Sequence, residues 1–402
     1  MRISNHTGLS PVNGLLGILA LWMHDPQDPD ARLAIERIDG WIWEDDTDGA
    51  RVTGARSMTW DTAFAVQALC AAAPHVEVKD SLRRADVFLE EQQIREAPAG
   101  VERHDRLDPR GGYCFAGVWH GWPVSDCTAE ALLARLESPE ADAPREDALA
   151  AVRFILRTQN ADGSFGSYEA KRTRIPLEWL NPAEMFGDSM TEGSYVECTA
   201  SCIAALAAFR KHYPELLRDE VDASIARAKH RLTTLQRPDG SWPGVWGVCF
   251  VYGTMFGVRG LLAAGVPVQD HAIRKACAWL KARQRSDGGW GEHFASCLED
   301  QYVENDKSSV IQTAWALSTL LEAQDPDWDA IDRAARFLAI AQRDDGTWPQ
   351  EEPAGVFFRT ALLHYTLYGS YFPVWALGQY ETRRASRASF MTAQPSRDSV
   401  SV

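Results

Sequence analysis

Asp126 is the residue best placed to do chemistry. It opens an apolar run, between the flank Trp122-Pro-Val and Cys127. Burial among such neighbours keeps a proton on a carboxyl at neutral pH, whereas a helix start and nearby thiols stabilise the conjugate base and ease the proton's departure. An undissociated buried acid is a proton donor. The competing reading is that Ser125 or Asp126 only caps a helix. Other chemistries lack their residues. The cysteines at 70, 114, 127, 198, 202, 249, 277 and 297 form no C-x-x-C pair, and there is no H-E-x-x-H, glycine-rich phosphate loop or Asp-rich metal motif. We therefore expect no metal, nucleotide or organic cofactor, and reduced thiols of the kind cytoplasmic proteins carry.

The elements that position this acid are legible as repeats. One is a turn: Gln159-Asn-Ala-Asp-Gly-Ser-Phe165, Gln236-Arg-Pro-Asp-Gly-Ser-Trp242, Gln284-Arg-Ser-Asp-Gly-Gly-Trp290 and Gln342-Arg-Asp-Asp-Gly-Thr-Trp348. Each ends a helical stretch, with Asp-Gly supplying a tight turn and the aromatic packing back on the helix just left. The second repeat is a helix start at Thr62, Thr128, Thr199, Thr254, Thr313 and Thr360, each opening an apolar run. Thr313 to Leu321 is apolar nearly all round and predicts an inner helix. Ile331, Ala334, Ala335 and Leu338, like Ile273, Ala276, Cys277 and Leu280, form a single stripe and predict outer helices. Six inner helices, each with an outer partner, predict an all-α fold: an (α/α)6 barrel of six hairpins around a central cavity, occupying residues 1–382. Residues 383–402, rich in Ser, Arg and Thr, are expected to form a disordered tail.

Composition agrees with a folded, soluble chain. Of 402 residues, 45% are hydrophobic and 24% charged, and 41 basic against 56 acidic residues give a net charge of −15 without a basic run, which excludes nucleic acid as a partner. Leu15 to Trp22 is too short to span a bilayer and lacks the frame of an export signal. The inner-helix starts supply the cavity's chemistry: Trp60-Asp61, Ser125-Asp126-Cys127, Glu197-Cys198, Tyr252-Gly253, Gln312 and Phe358. Aromatics and acids dominate.

At these positions the chain resembles a known family. Gly121-Trp-Pro-Val-Ser-Asp-Cys-Thr-Ala-Glu130 resembles the catalytic-acid segment of the oxidosqualene cyclases, Trp60 to Leu69, Gly187 to Thr199, Asp239 to Gly257 and Tyr371 to Gly378 resemble other blocks, and the Gln…Trp turns resemble that superfamily's QW motifs. The resemblance implies class II terpene cyclisation, begun by protonation. It identifies Asp126 with the proton donor, Cys127 and Cys198 with the thiols on its carboxyl, and Glu130 with an acid behind it that helps return the proton. It places Trp60, Phe115, Tyr168, Trp246 and Phe357 among the cavity aromatics, whose faces would stabilise carbocations. Phe250 or Tyr252 is the alternative to Trp246 as the ring facing the cavity. Trp119 and His120 depart from the family pattern, leaving His120 either a terminating base or a cap on the cavity. Asp61 is expected to hold its helix start. The squalene-hopene cyclases' Asp-x-Asp-Asp motif is absent.

Full-length relatives carry two α-barrel domains and this sequence has room for one, so it resembles the monodomain meroterpenoid cyclases. That implies a hydrophobic polyprenyl partner, in particular a prenylated aromatic, and a cytoplasmic protein with peripheral membrane contact. A triterpene cyclase acting on squalene or 2,3-oxidosqualene is the alternative. A zinc prenyltransferase-like toroid, which would need the loose set Cys297, Asp300 and His364, and a non-catalytic lipid-binding toroid are remoter ones.

Overall fold

The computed structural model describes residues 2, 6–8 and 10–393, apart from 46–48, 54–55, 98–99, 142–143, 174, 176 and 184–186. Helices α1 (Pro11–His24) and α2 (Pro29–Glu36) lead into the ribbon β1 (Ile42–Asp45) and β2 (Gly49–Val52). Five helical hairpins follow: α3 (Met58–Ala72) with α4 (Lys79–Gln92), α5 (Ser125–Glu137) with α6 (Arg145–Thr158), α7 (Val196–His212) with α8 (Arg218–Leu235), α9 (Phe250–Ala263) with α10 (His271–Lys281), and α12 (Val310–Glu322) with α13 (Trp328–Ala341). Short strands β3 (Tyr113–Cys114) and β4 (Pro123–Val124) pair just before α5. Strands β5 (Trp290–Glu292) and β6 (Glu304–Ser309), with α11 (Ala295–Glu299) between them, precede α12, and the hairpin β7 (Gly355–Phe357) and β8 (Ala361–Leu363) precedes α14 (Tyr368–Ala393).

Helices α3, α5, α7, α9, α12 and α14 pack side by side in that order, and α14 returns onto α3, closing an α-α toroid. The seam is bonded: the Trp60 indole N–H on α3 donates to the Tyr368 hydroxyl on α14 at 2.9 Å. Burial follows the predicted layers. Every residue of α12 from Val310 to Leu321 is buried, whereas α13 buries Ile331, Ala334, Ala335 and Leu338 and turns Asp332, Arg333 and Arg336 to solvent. Among the described residues the outer layer has five helices, and none follows α14. Helices α1 and α2 instead pack on each other and on residues 38–41, and α1 buries only Gly14.

The Gln…Trp turns join the layers. Gln236 Nε2 donates to Gly240 O in its own turn and to Ala272 O in the next outer helix, both at 2.9 Å, and Gln159 and Gln284 repeat this double bond with Gly163 and Ser224, and Gly288 and Ala330. Trp242, Trp290 and Trp348 each donate at 2.8 Å to the carbonyl of Leu232, Leu280 or Leu338 on the helix just left. The turn glycine is required, since Gly240 has φ +104° and a Cβ there would meet the Lys275 carbonyl at 2.7 Å.

Two sequence expectations need correction. Thr360 does not open the sixth inner helix. Phe358 adopts a left-handed φ of 56°, the chain reverses through Arg359-Thr360, and the inner helix starts at Tyr368. Nor does the ordered chain stop at 382: α14 runs to Ala393, because the Arg383 guanidinium donates to the carbonyls of Leu320, Leu321 and Asp325, and Arg383 and Arg387 lie over the Trp328 ring. Residues 394–402 lie outside the described residues.

The two ends of the toroid differ. Connections at the C-terminal ends of the inner helices are short (73–78, 138–144, 213–217, 264–270 and 323–327), whereas those feeding their N-termini are long (93–124, 159–195, 236–249, 282–309 and 342–367). Asp126, in the first turn of α5, sits at the long-loop end.

Candidate active site

The first turn of α5 is fixed by its surroundings. Strands β3 and β4 deliver the chain in extended conformation through Val124, and the Thr128 hydroxyl donates to Val124 O while accepting from Tyr113 N. Ser125 N donates to Ser167 O at 2.7 Å and its hydroxyl to Gly166 O at 2.5 Å, so Ser125 ties the helix to the neighbouring loop rather than capping it. Asp126 is 4% exposed. Its Oδ1 accepts from Cys127 N at 2.7 Å, and its Oδ2 from the Cys198 thiol at 3.4 Å. The Ser167 hydroxyl lies 3.6 Å from the Cys198 sulfur.

These contacts set the acid. Burial raises the Asp126 carboxyl to about 6, against the pull of the Cys198 thiol and of the Cys127 N–H and thiol, which favour the carboxylate. Burial also lifts the Cys127 and Cys198 thiols well above their usual range, so both stay S–H donors. The result is a carboxyl proton whose conjugate base has two donors already in place, Cys127 N and the Cys198 thiol.

Glu130, one turn further along α5, is fully buried and turns away from Asp126 to other partners. Its Oε1 accepts from Ser201 Oγ at 2.6 Å and from Arg259 at 2.9 Å, and its Oε2 from Gln67 Nε2 at 2.8 Å and from Arg259 at 3.1 Å. The Arg259 guanidinium lies over the Trp375 ring at 5.2 Å. Side chains from α3, α5, α7 and α9 therefore close a polar knot on the ring's interior.

The aromatic residues divide. Trp60 and Phe115 lie 6.1 Å apart, Phe115 and Tyr365 6.0 Å, and Tyr365 stacks on Tyr368 at 4.7 Å. The Tyr365 phenol is pushed up by burial and then by the charges of Asp61, Tyr168, Cys127 and Asp126. Tyr168 is likewise under the influence of Cys127, Asp126 and Cys198, and it also lines, with Trp122, Pro123 and Arg106, an outer cleft of about 300 Å³. A second group has the Trp246 ring 5.2 Å from Phe357 and 5.0 Å from Phe358, with Tyr195 6.3 Å away. Phe115, Tyr168, Trp246 and Phe357 are each half-buried.

Of the alternatives to Trp246, Tyr252 is fully buried against Phe256 and Trp315, with its hydroxyl unpartnered. Phe250 packs under Arg237, which is held at the surface by Asp300, and so belongs to the rim rather than to the Asp126 cluster. Trp119 stacks on His120 in the turn 118–120, which Gln92 holds by accepting from Val118 N. Burial lowers the His120 imidazole, and its Nδ1 has no hydrogen bond. Asp61 accepts from Ser57 at 2.6 Å and from the Tyr371 hydroxyl at 3.1 Å, holding its helix start as expected. Sequence reasoning misses Tyr365, Tyr368 and Tyr371 as members of this aromatic group. Their spacing of three, on the segment entering the last inner helix, is the available signal.

Among the described residues no group of three or more His, Cys, Asp or Glu is placed to hold a metal ion. Of the loose zinc set, Asp300 pairs with Arg237, and His364 Nε2 lies 3.2 Å from Glu351 O. No helix among those residues is long and apolar enough to cross a membrane.

Residues 56–382 match the family described as the squalene-hopene cyclase C-terminal domain. The chain is 38% identical to human lanosterol synthase over 401 residues, covering 96% of this chain and 55% of the relative, and 39% identical to the cycloartenol synthase of Dictyostelium discoideum over 383 residues, 94% and 54%. It thus spans about half the length of the curated relatives it matches. Among solved structures, ent-copalyl diphosphate synthase from Streptomyces platensis superposes with a TM-score of 0.62 at 19% identity, over 92% of this chain and 58% of that one. The type II terpene cyclase MstE from Scytonema gives 0.57 at 17%, over 92% and 99%, and a single-substitution variant of it, solved with geranylgeranyl dihydroxybenzoate as substrate, gives 0.51 at 17%, over 94% and 98%. By its sequence match over residues 56–382 and its identity to the sterol-forming synthases, the chain belongs to the squalene-hopene and oxidosqualene cyclase family of class II terpene cyclases.

Proposed function

We propose that this protein cyclises a linear polyprene, with Asp126 giving the initiating proton. The observation that carries the reading is the buried carboxyl whose conjugate base is met by Cys127 N at 2.7 Å and the Cys198 thiol at 3.4 Å. The Asp126 O–H bond breaks as the π electrons of a terminal alkene form a C–H bond, or as an epoxide oxygen forms an O–H bond and its C–O bond opens, either way leaving a tertiary cation and the Asp126 carboxylate. Neighbouring double bonds then attack in turn, and loss of a proton or capture by an oxygen ends the cascade. Trp60, Phe115, Tyr168, Trp246 and Phe357 offer π-faces that stabilise a passing cation by about 0.5–2 kcal/mol each without trapping it. A shaped, dry site preorganises the chain and keeps water from quenching the cation.

The substrate class is a prenylated aromatic, on the fold-level match to nearly the whole length of MstE, one variant of which was solved with such a substrate. Identity to lanosterol synthase supports the second reading, a triterpene cyclase on squalene or 2,3-oxidosqualene. Such substrates reside in lipid, and peripheral membrane contact fits the exposed Leu16, Leu19 and Met23 of α1 and Ile175, Trp179 and Leu180 of a long-end loop.

Mass spectrometry after incubation with farnesyl- and geranylgeranyl-substituted phenols, squalene and oxidosqualene, in chelator and mild detergent, tests this. An isomer of unchanged mass from a prenylated phenol, absent with Asp126→Asn, is the expected result. Cyclised squalene or oxidosqualene alone would move the substrate to the triterpene class, and an Asp126→Asn variant as active as wild type would end Asp126's role.

A further inference from the structure

A cavity of about 410 Å³ opens between the end of α4, the loop before β3 and α6, and it shares no lining residue with the Asp126 site. That volume is in the range of small-molecule sites. Four arginines line it: Arg95 just past α4, Arg110 ahead of β3, and Arg153 and Arg157 on α6. Arg153 and Arg157 are one helical turn apart and share a face. The lining acids are Asp108 and Asp147, so four cations against two anions leave a net positive pocket in a chain whose net charge is −15.

The two acids hold arginines in place without exhausting them. Asp147 accepts from Arg95 at 2.5 and 2.9 Å, and Asp108 accepts from Arg110 at 2.7 and 3.0 Å. A guanidinium carries five N–H donors, so donors remain on both. Arg157 is tied to the loop, donating to Asp108 O at 3.0 Å and Arg110 O at 3.1 Å. Arg153 has no hydrogen bond or ion pair with any described residue. Burial holds the Arg157 guanidinium below its usual range, and against the pull of Asp108 the charges of Arg110 and Arg153 push the same way. Like charges gathered around one concave space repel each other, and an anion between them relieves that repulsion.

We propose that this pocket binds a phosphate-class oxyanion from solution, with diphosphate as the best fit. A carboxylate presents two oxygens in one plane and is served by one arginine, whereas here guanidinium groups arrive from three separate segments. Phosphate offers oxygens in several directions, and diphosphate offers two such sets. The bound anion clamps segments that lead to the acid. Gln93 Nε2 donates to Gly111 O at 3.1 Å and to Asp147 O at 2.9 Å, Gly111 N donates to Ile94 O at 2.8 Å, and Ile94 N to Gly112 O at 3.0 Å. Gly111, at φ +88°, rests against the Ala150 carbonyl of α6, where no Cβ would fit. Tyr113 then begins β3, which pairs with β4 just ahead of Asp126. The pocket is thus an effector site, and its binding does not depend on Asp126 being the proton donor.

Calorimetric titration with sodium diphosphate at fixed ionic strength tests this. Saturable binding of one anion per chain, with Kd below about 1 mM, is expected. Arg153→Gln gives up no native partner, so without ligand its melting temperature should stay within about 1 °C of wild type. Its affinity should fall by about tenfold or more, as expected for a lost hydrogen bond to a charged group. Arg336→Gln removes the same charge from the exposed face of α13 and should leave Kd within about twofold. Diphosphate should also slow amide exchange at Ile94 and Gly111. No saturable binding up to about 10 mM, or equal weakening by both variants, would overturn the site, and unaltered exchange at those two amides would overturn the clamp. Vesicles of phosphatidic acid in phosphatidylcholine separate the two sources of a phosphate. Arg153-dependent capture by them, with no binding of free diphosphate, would replace the dissolved anion by a lipid headgroup and overturn the assignment.

Discussion

At the scale of single residues, the strength of Asp126 as an acid is a balance between burial, which raises its carboxyl, and donors that favour the carboxylate. Cys198 donates to Oδ2, so its S–H favours the carboxylate and opposes the effect of burial. Cys198→Ala should raise the Asp126 carboxyl further and weaken it as a donor. A hydrogen bond to a charged group contributes about 1.5–3 kcal/mol, so kcat should fall by about 10–100-fold, with the alkaline limb of the kcat–pH profile moving to higher pH. A fall in kcat with that limb unmoved would assign Cys198 to packing. Much of this was legible in sequence, since Asp126, Cys127 and Cys198 come from two repeat positions, the starts of α5 and α7, that a toroid brings together. The bond from Val245 N to Glu197 and the closed ion pair of Glu130 were not. Which way a buried carboxylate turns depends on Arg259, Gln67 and Val245, which lie far away in the chain and carry no local signal.

At the scale of elements, the turns at Gln159, Gln236 and Gln284 each do two jobs, bonding their own loop and reaching into the next outer helix. Trp290 is fully buried and donates to Leu280 O. Trp290→Ala should destabilise the fold by about 3–5 kcal/mol in denaturant melts while leaving the Asp126 contacts intact, and a loss under about 1 kcal/mol would show that the turn carries little of the packing. Helix α1 is the opposite case, apolar yet with Leu16 61% and Met23 72% exposed. Replacing Leu16 and Met23 by Asp should reduce flotation with phosphatidylcholine liposomes without changing thermal stability, and equal flotation of both proteins would remove α1 from the membrane contact. The turns and inner helices were legible because their periodicity is local. Thr360 misled because the same Thr-Ala pair sits in a reversal forced by Phe358, and the end of α14 was hidden because Arg383 and Arg387 gain their order only from Trp328 and the carbonyls of α12 and its following loop.

For the molecule as a whole, the buried acids make stability depend on pH in an unusual direction. The folded carboxyls of Asp126 and Asp61 sit near 6 and that of Glu197 near 7, all above their values in an unfolded chain. Between about pH 4 and 7 the folded state therefore binds more protons than the unfolded one, and these groups lose stabilising effect as pH rises through that window. The melting temperature of Asp126→Asn minus that of wild type should accordingly grow more positive from about pH 5 to pH 8. A difference flat across that range would mean that Asp126 is not buried as a neutral acid.

The bonded seam between α3 and α14 has a consequence for how the protein is made. Trp60 and its partner Tyr368 stand 308 positions apart, and the aromatic group they belong to includes Tyr365, far beyond Asp126 in the sequence. A nascent polypeptide that has already emerged past Asp126, Cys127 and Cys198 thus holds its acid without the wall beside it. Forming so distant a contact is slow compared with forming the hairpins. Closing the ring is also what completes the wall beside the acid, so the Asp126 carboxyl is enclosed only once α14 has returned to α3.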